Sequence, residues 1–198
     1  IDGGDGVDTL VLGGALDQTT LTSIEALAVG AAGLDVNLKN AQSVTEATVA
    51  PTTGPVTSFT FDNTPGTFTA VSKTDSDSAF TTAAPAPIQL IGKDDDADHT
   101  LTFEGSQNVS ATGTNKLVDV ADAESLTVNF NNTGGVTFNT AFTLATFDGT
   151  TDNLESLTLS GSQNLDISAA TTPVLTDATA LETLDFSGLS SVKMDQSA

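Results

Sequence analysis

The chain lacks cysteine, tryptophan, tyrosine and arginine, and has one histidine, His99. Without cysteine there can be no disulfide, thiolate metal site or thiol nucleophile. With His99 as the sole imidazole, a zinc centre is not expected either. Missing tryptophan and tyrosine leave no indole or phenol to stack on a sugar ring. Basic charge is also scarce: five lysines face 26 acids, giving a net charge of −21. Nucleic acid and anionic membrane surfaces both need a basic footprint, so neither is an expected partner. No apolar run is long enough to cross a bilayer, so direct membrane insertion is not expected. No signal peptide is visible at Ile1, and the chain opens in mid-pattern, as a piece of a longer polypeptide would.

What is abundant is a repeated phrase. Leu157-Thr-Leu159-Ser-Gly161-Ser-Gln163-Asn164-Leu165-Asp-Ile167 is echoed by Leu101-Thr-Phe103-Glu-Gly105-Ser-Gln107-Asn108-Val109. Weaker copies begin at Leu27, Leu126 and Leu184. Each copy pairs two short segments of alternating apolar and polar residues around a small polar corner. Alternation at period two puts the apolar side chains on one face of a strand. Glycine and asparagine give the corner its backbone freedom. Copies starting at 101, 126, 157 and 184 are spaced by 25, 31 and 27 residues. A unit too short to bury its own face must stack on its neighbours.

The expected fold is therefore all-β, a parallel β-helix or β-solenoid. A leucine-rich repeat competes, because Leu154-x-x-Leu157-x-Leu159 fits its opening. Ser162 and Asn164 then stand where that repeat wants asparagine and leucine, so the β-helix is preferred. Thr22-x-x-Glu25, Asp152-x-x-Glu155 and Thr179-x-x-Glu182 match a helical capping box, which allows a short helical turn before the strands. Residues 1–44 read as a glycine-rich turn and first coils, and 100–198 as further coils. Between them, 45–99 reads as an irregular β insertion or elaborated coil. Within it, Phe59-Thr-Phe61 and Thr67-Phe68-Thr-Ala-Val71 flank Asp62-Asn-Thr-Pro65-Gly66, which has the form of a hairpin. Proline-bearing stretches at 50–55 and 83–87 read as connectors.

Residues 3–11 fit the nonapeptide Gly-Gly-x-Gly-x-Asp-x-apolar-x without a mismatch: Gly3-Gly4-Asp5-Gly6-Val7-Asp8-Thr9-Leu10-Val11. Glycines let backbone carbonyls turn toward a cation, and Asp8 adds a carboxylate, which are the hard oxygen ligands calcium prefers. The motif resembles the calcium-binding repeats of RTX proteins, which bacteria export by type I secretion. That resemblance implies the carbonyls of Gly4 and Gly6 and the carboxylate of Asp8 as calcium ligands, with Asp2 and Asp5 as supplements. RTX ions sit between stacked turns, and this sequence holds one complete nonapeptide, so half of the ligands would come from elsewhere. The phrase apolar-Glu-Ser/Thr-Leu-x-apolar-x-Gly resembles β-helical repeats of bacterial surface-layer proteins and large adhesins.

A second candidate cation loop is Lys93-Asp94-Asp95-Asp96-Ala97-Asp98-His99. Asp94, Asp95, Asp96 and Asp98 could wrap a calcium ion, although the loop lacks the glycine and terminal glutamate of an EF-hand. Two carboxylates held about 4 Å apart cost roughly 4 kcal/mol at an effective dielectric near 20, so crowded acids favour bound cations or high salt. The expected function is a structural segment of a secreted, calcium-dependent cell-surface assembly such as a surface layer. It would self-assemble outside the cell, with surface polysaccharide as a candidate anchor. The alternatives are an adhesin stalk or a ligand-binding module. A ligand face of ranked threonines looks too sparse, resting on Thr67, Thr69, Thr112 and Thr114. An enzyme is not expected: pectate-lyase-like β-helices use a catalytic arginine, and no nucleophile phrase such as Gly-x-Ser-x-Gly is present.

Overall fold

The computed structural model describes residues 1–16, 19–31, 33–51, 58–74, 79–82, 88–111, 117–138, 154–166 and 180–193. Among them there is no helix, and every pairing between strands is parallel. Alternating sequences with small polar corners leave no helical stripe to bury, and the one capping-box phrase wholly within the described residues, Thr22–Glu25, leads directly into a strand at Ala26.

The chain winds into a β-solenoid. Its front face stacks β1 (Thr9–Leu12), β2 (Ala26–Val29), β4 (Glu46–Val49), β6 (Thr67–Thr74), β9 (Ala97–Gly105) and β12 (Ala123–Phe130). The first halves of β14 (Ser156–Asp166) and β15 (Thr183–Lys193) continue it. The back face stacks β3 (Leu34–Asn37), β5 (Phe59–Thr64), β8 (Ile88–Gly92) and β11 (Asp119–Ala121). A side face holds β7 (Ala79–Thr82), β10 (Asn108–Ala111), β13 (Val136–Phe138) and the second halves of β14 and β15.

The coils lengthen as the side face is added. Leu10 lies beside Leu27, Leu27 beside Ala47 and Ala47 beside Ala70, steps of 17, 20 and 23 residues. Ala70 then pairs with Leu101, Leu101 with Val128 and Val128 with Leu159, steps of 31, 27 and 31. The hairpin expected across Phe59 to Val71 does not form. β5 pairs with β3 and β8 on the back face, whereas β6 pairs with β4 and β9 on the front. Asn63, at φ 55°, turns the chain through a solenoid corner between them. A polar, glycine-bearing bend has the same local chemistry whether the next strand reverses or moves to another face.

Register differs from the sequence expectation by one rung. Leu126, Leu157 and Leu184 do align, but Leu101 pairs with Val128, and His99 takes the place beside Leu126. A shift of two residues keeps every side chain on its original face, so the apolar pattern cannot distinguish the registers. Inward columns run Leu27, Ala47, Ala70, Leu101, Val128, Leu159 on the front and Val36, Phe61, Leu90, Val120 on the back, all buried. Phe61 meets Phe68 across the core at 5.1 Å, and Phe103 stacks on Phe130 at 5.8 Å with planes 5° apart. Each fully buried phenylalanine contributes about 1.5–3 kcal/mol by removing apolar surface from water.

The segments at 52–57, 83–87, 112–116 and 139–153 lie outside the described residues, as do Thr179 and Met194. The connector at 83–87, Thr112, Thr114 and Asp152 fall there with them.

Candidate functional site

The N-terminal turn is pinned to the next coil. Gly3 N–H donates to Thr22 O at 3.0 Å, and Asp8 N–H donates to Glu25 Oε2 at 2.9 Å. Glu25 and Ala26 N–H return to Asp8 O at 3.1 Å. Gly4 and Gly6 have φ of 89° and 122°, the left-handed region that side chains resist. A Cβ on Gly3 would fall 2.0 Å from Ser23 O and 2.8 Å from Asp8 Cβ, so only glycine lets the Asp8 side chain lie there. Within this packing Asp8 Oδ2 is shielded from solvent and has no donor. Asp2 Oδ1 accepts from Gly4 N–H at 3.2 Å, and Asp2 and Asp5 are otherwise exposed.

The acidic loop is a turn between β8 and β9 in which Asp94, Asp95 and Asp96 are exposed. Asp98 faces outward on β9, where its Oδ1 accepts from Ser125 Oγ one coil away. The loop's own aspartates do not converge. Instead Asp95 lies beside Asp122, with Asp62 near enough to act on it. Partial burial first, then the Asp95 charge and hydrogen bond and the Asp62 charge, raise the Asp122 carboxyl above its ordinary pKa. These residues come from three different coils, and no linear spacing in the sequence could reveal the grouping. Among the described residues no three histidine, aspartate or glutamate side chains are placed to hold a metal ion. Any ion at the N-terminal turn would therefore rely largely on backbone carbonyls, the ligand type its glycines favour.

The recurrent glutamates form a corner stripe. Glu155 N–H donates to Glu124 O at 2.9 Å and Glu182 N–H to Glu155 O at 2.8 Å. All three side chains are exposed and stacked coil on coil. The repeated Gly-Ser-Gln-Asn phrase has a clear task too. Gln107 Nε2 donates to the Ser72 carbonyl of one neighbouring coil at 2.8 Å, while Asn108 Oδ1 accepts from Gly135 N–H of the other at 2.9 Å. In the second copy Gln163 Nε2 donates to Asn132 O at 2.6 Å and Asn164 Oδ1 accepts from Ser191 Oγ at 2.8 Å. The phrase is a clamp between three coils.

His99 is 1% exposed and sits in the inward column between Phe68 and Leu126. Its Nε2 is 2.7 Å from Thr64 Oγ1, whose hydroxyl donates to Ile91 O at 3.1 Å. Nε2 therefore carries the proton, and Nδ1 is left buried without a partner. Burial lowers the His99 pKa to about 4, with Asp98 opposing the shift.

On the outer side of the front face, Thr69, Thr100, Thr127 and Thr158 stand in one rank. Beside them Val71, Thr102, Asn129 and Ser160 form a second, with Asn129 Nδ2 donating to Thr102 Oγ1 and Ser160 Oγ to Asn129 Oδ1. The sequence hid this array because its members lie 27 to 31 residues apart. On the back face a shallow groove of about 460 Å³ is lined by Leu16, Asp35, Asn37, Thr60, Asp62 and Ile91, among others. No family model matches the chain, and neither does any curated protein or solved structure.

Proposed function

We propose that this chain is a structural segment of a secreted, calcium-dependent cell-surface assembly, of the kind a surface-layer subunit provides. The observation that carries the reading is Asp8 Oδ2, a shielded carboxylate oxygen with no donor, in a turn whose glycines free backbone carbonyls. Leaving such an oxygen unpaired costs about 1–3 kcal/mol or more, which a hard cation relieves. Asp8 and the carbonyls of Gly4 and Gly6 would hold the ion in the RTX manner, and export would follow the type I route. Residues of a neighbouring turn would complete the shell. Calcium would then add its binding energy to folding: a free concentration 100 times Kd contributes about 2.7 kcal/mol. Self-assembly with further copies of the chain belongs to the same reading, with the ion coupling folding to assembly.

Thermal unfolding and sedimentation, run with calcium, magnesium and chelator at one ionic strength, test this. Calcium should raise the melting temperature and the assembled fraction where magnesium does not, and Asp8→Asn should lose both responses. Equal behaviour in calcium and magnesium would sink the proposal.

A second reading is favoured by the ranked threonines: a ligand-binding module whose front-face hydroxyls meet a regular, uncharged glycan. Thr100→Lys and Thr127→Lys would then abolish retention on that glycan while leaving the fold intact.

A further inference from the structure

At two turns from the front face to the side face, between β9 and β10 and between β12 and β13, the inward side chains are polar. Gln107 and Asn132 are both 0% exposed at this corner. Gln107 Nε2 donates to the carbonyls of Ser72 and Glu104 at 2.8 and 2.7 Å. Asn132 Nδ2 donates to the carbonyls of Gln107 and Gly134, both at 2.9 Å. The nitrogen side of each amide is thus saturated. The oxygen side is not, since Gln107 Oε1 and Asn132 Oδ1 are buried with no donor. Ser72, also 0% exposed, stands on the coil whose carbonyl Gln107 grips, and its Oγ has no partner. Three unmatched polar atoms therefore fall within two hydrogen-bonded steps along one internal seam.

Their donor and acceptor roles are complementary to one small molecule. Two carboxamide oxygens need protons, and one hydroxyl needs an acceptor. A water molecule has two protons to give and lone pairs to receive, and buried waters typically make about three hydrogen bonds to such orphaned groups. Ser72 is also the small member of its inward column, flanked by the larger Val49 and Phe103. A metal ion fits less well. The seam's polar atoms are neutral, and the carboxylate of Glu104, whose backbone carbonyl Gln107 holds, faces Lys73 at 3.8 Å with 42% of its side chain exposed. An unneutralised charge in the core would suffer a large desolvation penalty.

We infer that the Ser72–Gln107–Asn132 seam binds internal water, which donates to Gln107 Oε1 and Asn132 Oδ1 and accepts from Ser72 Oγ. The Gly-Ser-Gln clamp is then a hydrated joint between coils, not a dry amide ladder. This is independent of any calcium site.

Oxygen-17 relaxation dispersion of the solvent, which counts long-lived internal waters, tests the inference on the chain and on Ser72→Val. The expected result is one long-lived water fewer in Ser72→Val, whose methyls fill the space. An unchanged count would overturn it. The sign of a second measurement is equally decisive. If water links Ser72, Ser72→Ala removes a satisfied bond and raises the unfolding constant roughly tenfold. If the hydroxyl is unsatisfied, the same change lowers the constant, and the inference falls. A stability that depends on whether sodium, potassium or choline is present at one ionic strength would assign the seam to a cation instead.

Discussion

At the scale of single residues, the least conventional choice in the core is His99, an imidazole in a column that otherwise carries Phe68, Leu126 and Leu157. Its folded pKa is about 4, against about 6.5 in an unfolded chain. The group is held neutral, so the unfolded state binds the proton first. Its contribution to stability is complete above pH 6.5 and declines as the pH falls toward 4, a loss of about 3 kcal/mol. Asp98 is the charged neighbour acting on it and only partly offsets burial. Urea midpoints of the chain and of His99→Leu should therefore run parallel above pH 7 and diverge between pH 6.5 and 4, with the leucine variant the more resistant. Parallel curves throughout would show that the imidazole is not desolvated. The sequence reading saw His99 only as too solitary for zinc. Its burial is not legible there, because the aspartates beside it, Asp94, Asp95, Asp96 and Asp98, read as an acidic cation loop. Asp8 was legible as a candidate ligand from its nonapeptide, since that motif is local. Asp122, which shares its corner with Asp95, was not, because the two are joined only by stacking.

Among the elements, period-two alternation was sufficient to find the strands and their buried faces, and the recurring corners were sufficient to imply stacking. Neither carries information about which rung meets which, and Leu101 accordingly lies beside Val128 instead of Leu126. The hairpin reading failed for a related reason: Asn63, Pro65 and Gly66 state that the chain bends, while the direction of the next strand is set by β3, β4, β8 and β9, each distant in sequence. The Gly-Ser-Gln-Asn copies were read as corners but not as clamps, since their partners belong to adjacent coils. Clamping explains a demand for glycine at 134, where a Cβ would fall 2.1 Å from Gln107 O and 2.8 Å from Asn108 N. Gly134→Ala should force coils apart at mid-solenoid and cost about 1–3 kcal/mol. Phe130→Ala, which removes one ring of the Phe103 stack, should cost about 3–5 kcal/mol. Denaturant unfolding checks both, and an alanine at 134 with unchanged midpoint would mean that the clamp is loose.

For the whole molecule, parallel winding makes any residue repeated once per coil into a stripe, so sequence periodicity becomes surface charge pattern. The middle of the front face repeats threonine, between Glu46 at one end of the rank and Asp185 at the other, while the corner repeats glutamate as Glu124, Glu155 and Glu182. Like charges one above another on adjacent strands are destabilising, by roughly 0.2–1 kcal/mol per pair, and a net charge of −21 adds to the repulsion. Screening shortens from about 30 Å at 0.01 M salt to about 8 Å at 0.15 M, so sodium chloride alone should raise the unfolding midpoint. Glu155→Gln removes the middle charge of the stripe. In low salt it should be more stable than the parent chain, and the gap should close as salt is added. If the stripe instead gathers divalent cations, the variant will gain less from calcium than its parent at matched ionic strength. The proposed Asp8 site predicts a calcium gain that Glu155→Gln leaves intact and Asp8→Asn removes. Melting curves of the three proteins in calcium and in sodium thus separate a bound ion at the terminal turn from diffuse neutralisation of an acidic stripe.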